Sequence, residues 1–341
     1  MKTSYIKHLL AIVVSISLTN CSTDNETKIE DVSNDTNLLS GCTNVVIHNG
    51  HAYAACGEQL QITALGSETI NTIAINGDDI AVDTSNNTLF VQSRNTIQAL
   101  NLSNPLRPTV VASSATNFGL FSGIDASNGI IVVSAGTGGS NTQVYRFSNN
   151  QFNLVQNGIP TVDNVTGNPD VHVAETASGA RAFYSQDLGA VANWGIQIID
   201  FNTQGNITNI EPVVTLTAQR FTGGFNSISP ANFPLESEFL NNKLYVAHFA
   251  VNGIEVVDLE NNNTTSTINL GYQPINITTN GNALFAVGTT SNTVSIINPS
   301  DNTVNIITEN RIEQARSIAA NENYLAIADR IAGLLIIDIE N

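Results

Sequence analysis

"GLLIIDI", residues 333–339, is a short β-branched run with no helical stripe, and it does not stand alone. It returns as "GIEVVDL" (253–259), "GIQIIDF" (195–201) and, less closely, "NTVSIIN" (292–298). Looser copies are "EQLQITAL" (58–65), "TIQALNL" (96–102) and "NTQVYRF" (141–147). A segment that recurs along a chain signals a repeat architecture, so the repeat is read before any single motif. A second strand-like run precedes each copy, among them "HAYAAC", "TLFVQS", "KLYVAH" and "YLAIAD". A third lies before that, as in "DDIAVD" or "PDVHVA", and a fourth usually comes after, as in "PTVVAS" or "TSTINL".

Each unit therefore reads as four short strands joined by turns rich in Asn, Gly and Ser. There are seven units, spaced by about 45 residues. One small sheet of this size cannot cover both of its own faces, and radial packing of successive sheets solves the problem. The expected fold is all-β: a seven-bladed β-propeller of four-stranded antiparallel blades. The last unit stops after its third strand, at Asn341. Its missing outer strand is expected from the N-terminal side, near "NLLSG" (37–41), which would close the ring.

The final unit, "EQARSIAANENYLAIADRIAGLLIIDIEN" (313–341), resembles an LVIVD-type repeat, in which a tyrosine-containing strand precedes a "GLxIIDV" strand. "IQALNLSNPLRPTVVAS" (97–113) is similar to the segment that comes next in that family, and residues 271–309 resemble the related YVTN type. The resemblance implies a propeller lipoprotein of the kind found in Bacteroidetes, with an extracytoplasmic home. It transfers no catalytic residue, because the family has no shared catalytic motif.

The N-terminus carries targeting information. Lys2 and Lys7 precede the apolar run "LLAIVVSISL" (9–18), too short to span a bilayer and shaped like a signal peptide. "LTNC" comes next, with Cys21 where a lipoprotein signal places its lipid-bearing cysteine; Asn20 departs from the small residue usual before it. The alternative is an ordinary secreted protein cut nearby. The reading divides the chain into a signal peptide (1–20), an acidic flexible tether (21–36) and the propeller (37–341). It places the protein on the outer membrane by a lipid anchor, facing the periplasm or the cell surface.

Composition narrows the partners. The formal net charge is −17, with 12 basic and 29 acidic residues, which argues against nucleic acid and against anionic lipid headgroups. Besides Cys21 there are two cysteines, Cys42 and Cys56, an even number in an oxidising compartment. They flank "VVIHNGHAYAA", an apparent hairpin whose Asn-Gly is a preferred tight-turn pair. Folding it back brings the two nearly opposite each other, so a disulfide is expected. His48 and His51 flank the same turn and read as an exposed pair.

The connections of a propeller sort onto two faces. Those joining strands two and three of a blade share one face with those that lead into the next blade. On the other face the turns are short, and "NTQGNITN" (202–209) is the main longer case. On the first face, units three to five carry insertions: 113–123, 135–141, 158–170, 186–195, then "AQRFTGGFNSISPANF" (218–233) and 248–253. Long connections in compact domains are usually functional or disordered, and disorder goes with few aromatics. These hold Trp194, Phe118, Phe121, Phe221, Phe225, Phe233 and Phe249. The aromatics either plug the channel mouth or line a binding surface.

No spacing fits a zinc site, a calcium loop, a nucleophile elbow or a phosphate-cradling loop. No metal and no cofactor is expected. Aligned second strands put Asp187, His248 and Asp329 at equivalent positions, while Asp78, Asp79, Asp170, Glu236 and Glu313 fall near inner strands. Paired carboxylates could perform acid–base chemistry, as in propeller glycosidases or lyases. Acids outnumber bases throughout, however, so carboxylates near a rim are expected without chemistry.

The sequence therefore reads as a non-catalytic binding module. Trp194, Phe221, Phe225 and Phe233 would stack on a sugar or another planar group, while Arg220, Asp187 and His248 orient polar groups. The ligand is a small molecule, a glycan or an envelope protein. The alternatives are a docking scaffold in an outer-membrane complex, with a transporter as candidate partner, and a propeller hydrolase or lyase.

Overall fold

The computed structural model describes residues 41–93, 95–116, 123–134, 142–159, 170–187, 193–219, 236–247 and 252–339. Among the described residues there is no helix, and the strands form seven antiparallel sheets in chain order. The protein is a seven-bladed β-propeller. Its inner strands are Asn44–His48, Asp79–Asp83, Ile124–Ser127, Val171–Thr176, Glu236–Leu240, Asn276–Thr279 and Ala315–Ala320. We number the blades one to seven in that order.

The abundance of asparagine has a structural cause. Ten non-glycine residues among those described have positive φ, and all ten are asparagines. Asparagine tolerates the left-handed region better than other side chains, and tight hairpins require that region. In blade 1, Asn49 (φ 46°) and Gly50 (φ 72°) turn the chain so that His48 pairs with His51. The same device, Asn241 and Asn242, turns blade 5 between Leu240 and Lys243.

Apolar side chains on both faces of each sheet fill the gaps between blades. Seven buried clusters result, one for each interface of a closed ring. Between blades 4 and 5, Phe183, Ile196 and Ile198 meet Leu244, Val246 and Val257. Between blades 7 and 1 the packing uses small residues: Ala319, Ala326 and Ala328 lie against Val45, Ala52 and Ala54.

The expected closing strand falls at 37–41, of which 37–40 lie outside the described residues. Gly41 is held closely against blade 7. A Cβ there would sit 1.5 Å from the carbonyl oxygen of Arg330, so only glycine fits. The N–H of Leu334 in blade 7 donates to Gln61 Oε1 of blade 1 at 3.2 Å. Cys42 and Cys56 form the expected disulfide, both fully buried.

Three details differ from the sequence reading. Half of the expected insertion 186–195 is strand, since Gly179–Asp187 and Asn193–Asn202 reach into it from either side. Within 202–209, residues from Ile207 onward belong to a strand, Ile207–Ile210, one of two pieces that make the outer edge of blade 4. The other piece, Val214–Gln219, pairs further along the same neighbour, Asn193–Asn202. Pro212 lies between them, and having no N–H it cannot continue the ladder. His48 is buried rather than exposed, with Nε2 2.8 Å from Asn87 Oδ1 of blade 2.

Candidate functional site: the acidic channel and its rim

Inner strands start at the first face and run down the central channel, so their leading residues ring its mouth. Asn44, Asp79, Asp125, Asp170, Glu236, Asn276 and Ser317 border a cavity of about 140 Å³, joined by His172 and Glu238. The ring is chemically lopsided. Blades 2 to 5 contribute Asp79, Asp125, Asp170, Glu236 and Glu238; blades 6, 7 and 1 contribute Asn276, Thr278, Ser317 and Asn44. No lysine or arginine among the described residues lines the cavity.

Several of these side chains fasten one blade to the next. Asp79 Oδ2 accepts the N–H of Ile124 in blade 3 at 3.0 Å, and Asp125 Oδ2 accepts that of Val173 in blade 4 at 2.6 Å. Asn276 Oδ1 accepts the N–H of Ile318 at 3.2 Å, and Ser317 Oγ that of Val45 at 3.4 Å. Ser317 also donates to Asn44 Oδ1 at 3.1 Å, and Asn44 in turn donates to Asp79 Oδ1. Carboxylate, amide and hydroxyl are thus interchangeable in one respect, since each satisfies an inner-strand N–H that lacks a partner in its own sheet.

Low solvation decides how the acids titrate. Burial pushes Asp79 and Asp125 up to about 7, although each accepts N–H groups that favour its ionised form. Glu236 is pushed up to about 8 by burial, with repulsion from Asp79 adding to it. Asp170 and Glu238 also lie well above the ordinary carboxylate range through burial, reinforced for Asp170 by Glu236 and for Glu238 by Asp125. His172 moves the opposite way, down to about 4, because burial disfavours its cation. Its ring stacks on Phe183 at 6.0 Å, and Phe183 stacks on Phe239 at 5.0 Å. His172 Nδ1 is 3.4 Å from Asp125 Oδ2, a contact made by a neutral imidazole rather than an ion pair at neutral pH.

The residues singled out from sequence separate into three groups. Asp79, Asp170 and Glu236 line the channel; Asp78 and Glu313 do not. Asp329 shapes turns: Oδ1 accepts the N–H groups of Ile331 and Ala332, and Oδ2 those of Glu313 and Gln314. Asp187 and Trp194 pair in register where the second and third strands of blade 4 meet the first face, their side chains being outside the described residues. Arg220, Phe221, Phe225, Phe233 and His248 also lie outside the described residues, as do Phe118, Phe121 and Phe249. Strand ends nonetheless give these segments their anchors. Residues 220–235 leave from Gln219, paired with Asn193, and return at Glu236 on the channel wall.

Asp125, Glu238 and His172 were missed. A comparison of the leading polar residues of the seven inner strands would have exposed the run of acids. Among the described residues, no group of three or more His, Cys, Asp or Glu side chains is arranged to hold a metal ion.

Comparison with known proteins bears on the fold. The hydrazine synthase of Kuenenia stuttgartiensis is similar in structure over 92% of this chain and 99% of its own, with a TM-score of 0.68 and 11% identity. A functionally unknown protein from Desulfotomaculum acetoxidans covers 89% of this chain and 93% of its own, with a TM-score of 0.62 and 17% identity. Virginiamycin B lyase from Staphylococcus aureus covers 88% and 95%, with a TM-score of 0.57 and 12% identity. No curated protein sequence matches the chain. At such identities the likeness is one of fold alone. In sequence, residues 313–341 match the LVIVD repeat family, so the chain is a β-propeller that carries an LVIVD-type repeat.

Proposed function

We propose that the protein is a lipid-anchored, non-catalytic binding module of the outer membrane, holding a small molecule, glycan or partner protein on the first face of blades 3 to 5. One observation carries this reading. The strand ends that bound residues 117–122, 135–141, 160–169, 188–192, 220–235 and 248–251 all belong to one rim and one arc of the ring. Outside this arc no connection between the described strands exceeds seven residues, whereas 160–169 and 220–235 alone span ten and sixteen, so the longest stretches of chain leave from the side of the ring that bears the channel acids. Trp194, Phe221, Phe225 and Phe233 supply stacking surfaces, while Arg220, Asp187 and His248 supply polar contacts. Cys21 carries the anchor, and an outer-membrane transporter is a candidate neighbour.

A second reading has its own observation. Asp170 and Glu236 are like-charged neighbours with raised proton affinity, the arrangement an acid–base catalyst uses. Propeller catalysis at this pair is therefore the alternative.

Trp194 is the only tryptophan, so intrinsic fluorescence reports on this rim directly. Titration with a panel of oligosaccharides should shift or quench the emission. The signal should vanish in a variant with residues 220–235 replaced by a two-residue turn. If that variant binds every wild-type ligand unchanged, the rim is structural padding. If an oligosaccharide is instead cleaved, and Glu236→Gln stops the cleavage, the catalytic reading replaces this one.

A further inference from the structure

The acidic arc is built into the joints between blades, and this gives it a role separate from any ligand. Asp79 and Asp125 each hold an inner-strand N–H of the following blade, so they cannot move apart without opening the blade 2–3 or 3–4 joint. Five carboxyl groups share one cavity of about 140 Å³ with no basic side chain among the described residues of its wall. The groups facing them do not neutralise them. From blades 6, 7 and 1 come Asn276, Thr278, Ser317 and Asn44, which do not titrate; from blade 4 comes His172. Arg316, on the inner strand of blade 7, is not on the wall; burial lowers its proton affinity, with Arg330 adding to the effect and Asp329 opposing it.

We propose that the channel is a proton-held clasp: bound protons suppress repulsion among the acids of blades 2 to 5, and their loss loosens this arc while the arc of blades 6, 7 and 1 stays shut. Each carboxyl can accept its N–H in either protonation state. What the proton removes is the like-charge repulsion inside a poorly solvated space. All five acids are displaced upward, first by burial and then by neighbouring acids, among them Asp78 beside Asp79 and Asp83 beside Asp125.

The sign comes from linkage. Their folded-state proton affinities exceed the unfolded ones, so the folded protein binds more protons between about pH 4 and about pH 8. The stabilisation is complete below about pH 4 and is lost as pH rises through 7 to 8. Ordinary carboxylates have finished titrating by about pH 6 and the unfolded-state imidazole of His172 by about pH 7.5, while Tyr and Lys begin at about pH 9. Between roughly pH 7 and 9 the clasp therefore dominates the proton balance.

The ring carries its own control. In the full-length protein, hydrogen exchange should be followed at the amides of Ile124 and Val173, held by acids, and of Ile318 and Val45, held by Asn276 and Ser317. After correction for intrinsic base catalysis, the first pair should lose protection about tenfold or more relative to the second across roughly pH 7 to 9. An unchanged ratio overturns the proposal. The urea midpoint should fall over the same window in wild type and fall distinctly less in Glu236→Gln/Glu238→Gln and in Asp125→Asn, each of which removes part of the acid cluster. A full decline retained in both variants overturns it as well. Should neither variant fold, the infrared band of protonated carboxyl groups decides. Its presence in wild type at pH 7 and loss by pH 9 supports the clasp, and its absence at pH 7 refutes it.

Discussion

The N–H of Cys42 donates to the carbonyl oxygen of Asp329 at 3.0 Å, which stitches the start of the described propeller to its last blade. Cys42 is at the same time tied to Cys56 within blade 1, 14 positions along the chain. One residue thus anchors the ring seam to a covalent loop. Replacing both cysteines by serine should cost about 3 kcal/mol, from the chain entropy of a loop of this size. Urea unfolding measures it. Both sulfurs are fully buried, so dithiothreitol should reduce the bond in unfolded protein and leave the native bond intact.

Asp329 offers a test of structure against function. It accepts four backbone N–H groups, from Glu313, Gln314, Ile331 and Ala332. Asp329→Ala strands those donors in a buried place and should destabilise the protein by roughly 3 kcal/mol or more. Ligand affinity of the molecules that remain folded should be unchanged. A selective loss of binding with normal stability would show that this acid faces a ligand.

His172 sets an acid limb on stability. Its proton affinity is lowered on folding, so its contribution is intact above about pH 6.5 and is lost as pH falls through about 4. The loss is roughly 3 kcal/mol at most. The channel acids act in the opposite direction over the same range, so the informative quantity is the difference between wild type and His172→Phe. That variant should lack the acid limb. By NMR the wild-type imidazole should stay neutral down to about pH 4.

Membrane attachment is expected to rest on one atom, the Sγ of Cys21. Wild-type protein made in a lipoprotein-processing host should incorporate labelled palmitate and partition into detergent. Cys21→Ala should do neither and should stay in the aqueous phase. Detergent partitioning by the variant would point to a different mode of attachment.

The fold was legible because its determinants are local. "HNGH" gives the hairpin register, and the register brings Cys42 and Cys56 together. "GLLIIDI" and its copies give the number of blades. The channel was less legible, because its wall is assembled from seven short strands spread along the whole chain. Within a strand as short as Ile124–Ser127, alternation is too brief to tell that Asp125 turns toward the next blade. His172 was hidden for a related reason: a lone histidine in "PDVHVA" carries no metal spacing, and its aromatic neighbours Phe183 and Phe239 are remote in sequence. The broken outer edge of blade 4 was readable in principle, since Pro212 marks the break.

The seam between blades 7 and 1 also orders events in time. Ser317 and Asn44 are 273 residues apart, so their bond must wait until the last repeat has been made. Until then the wall of blade 1 formed by Val45, Ala52 and Ala54 has no neighbour. A growing or truncated chain therefore presents a sticky flank that only its own final blade is shaped to cover. Two such chains held close together could exchange their last blades, so the protein's own tail acts as its guard against pairing with a sibling.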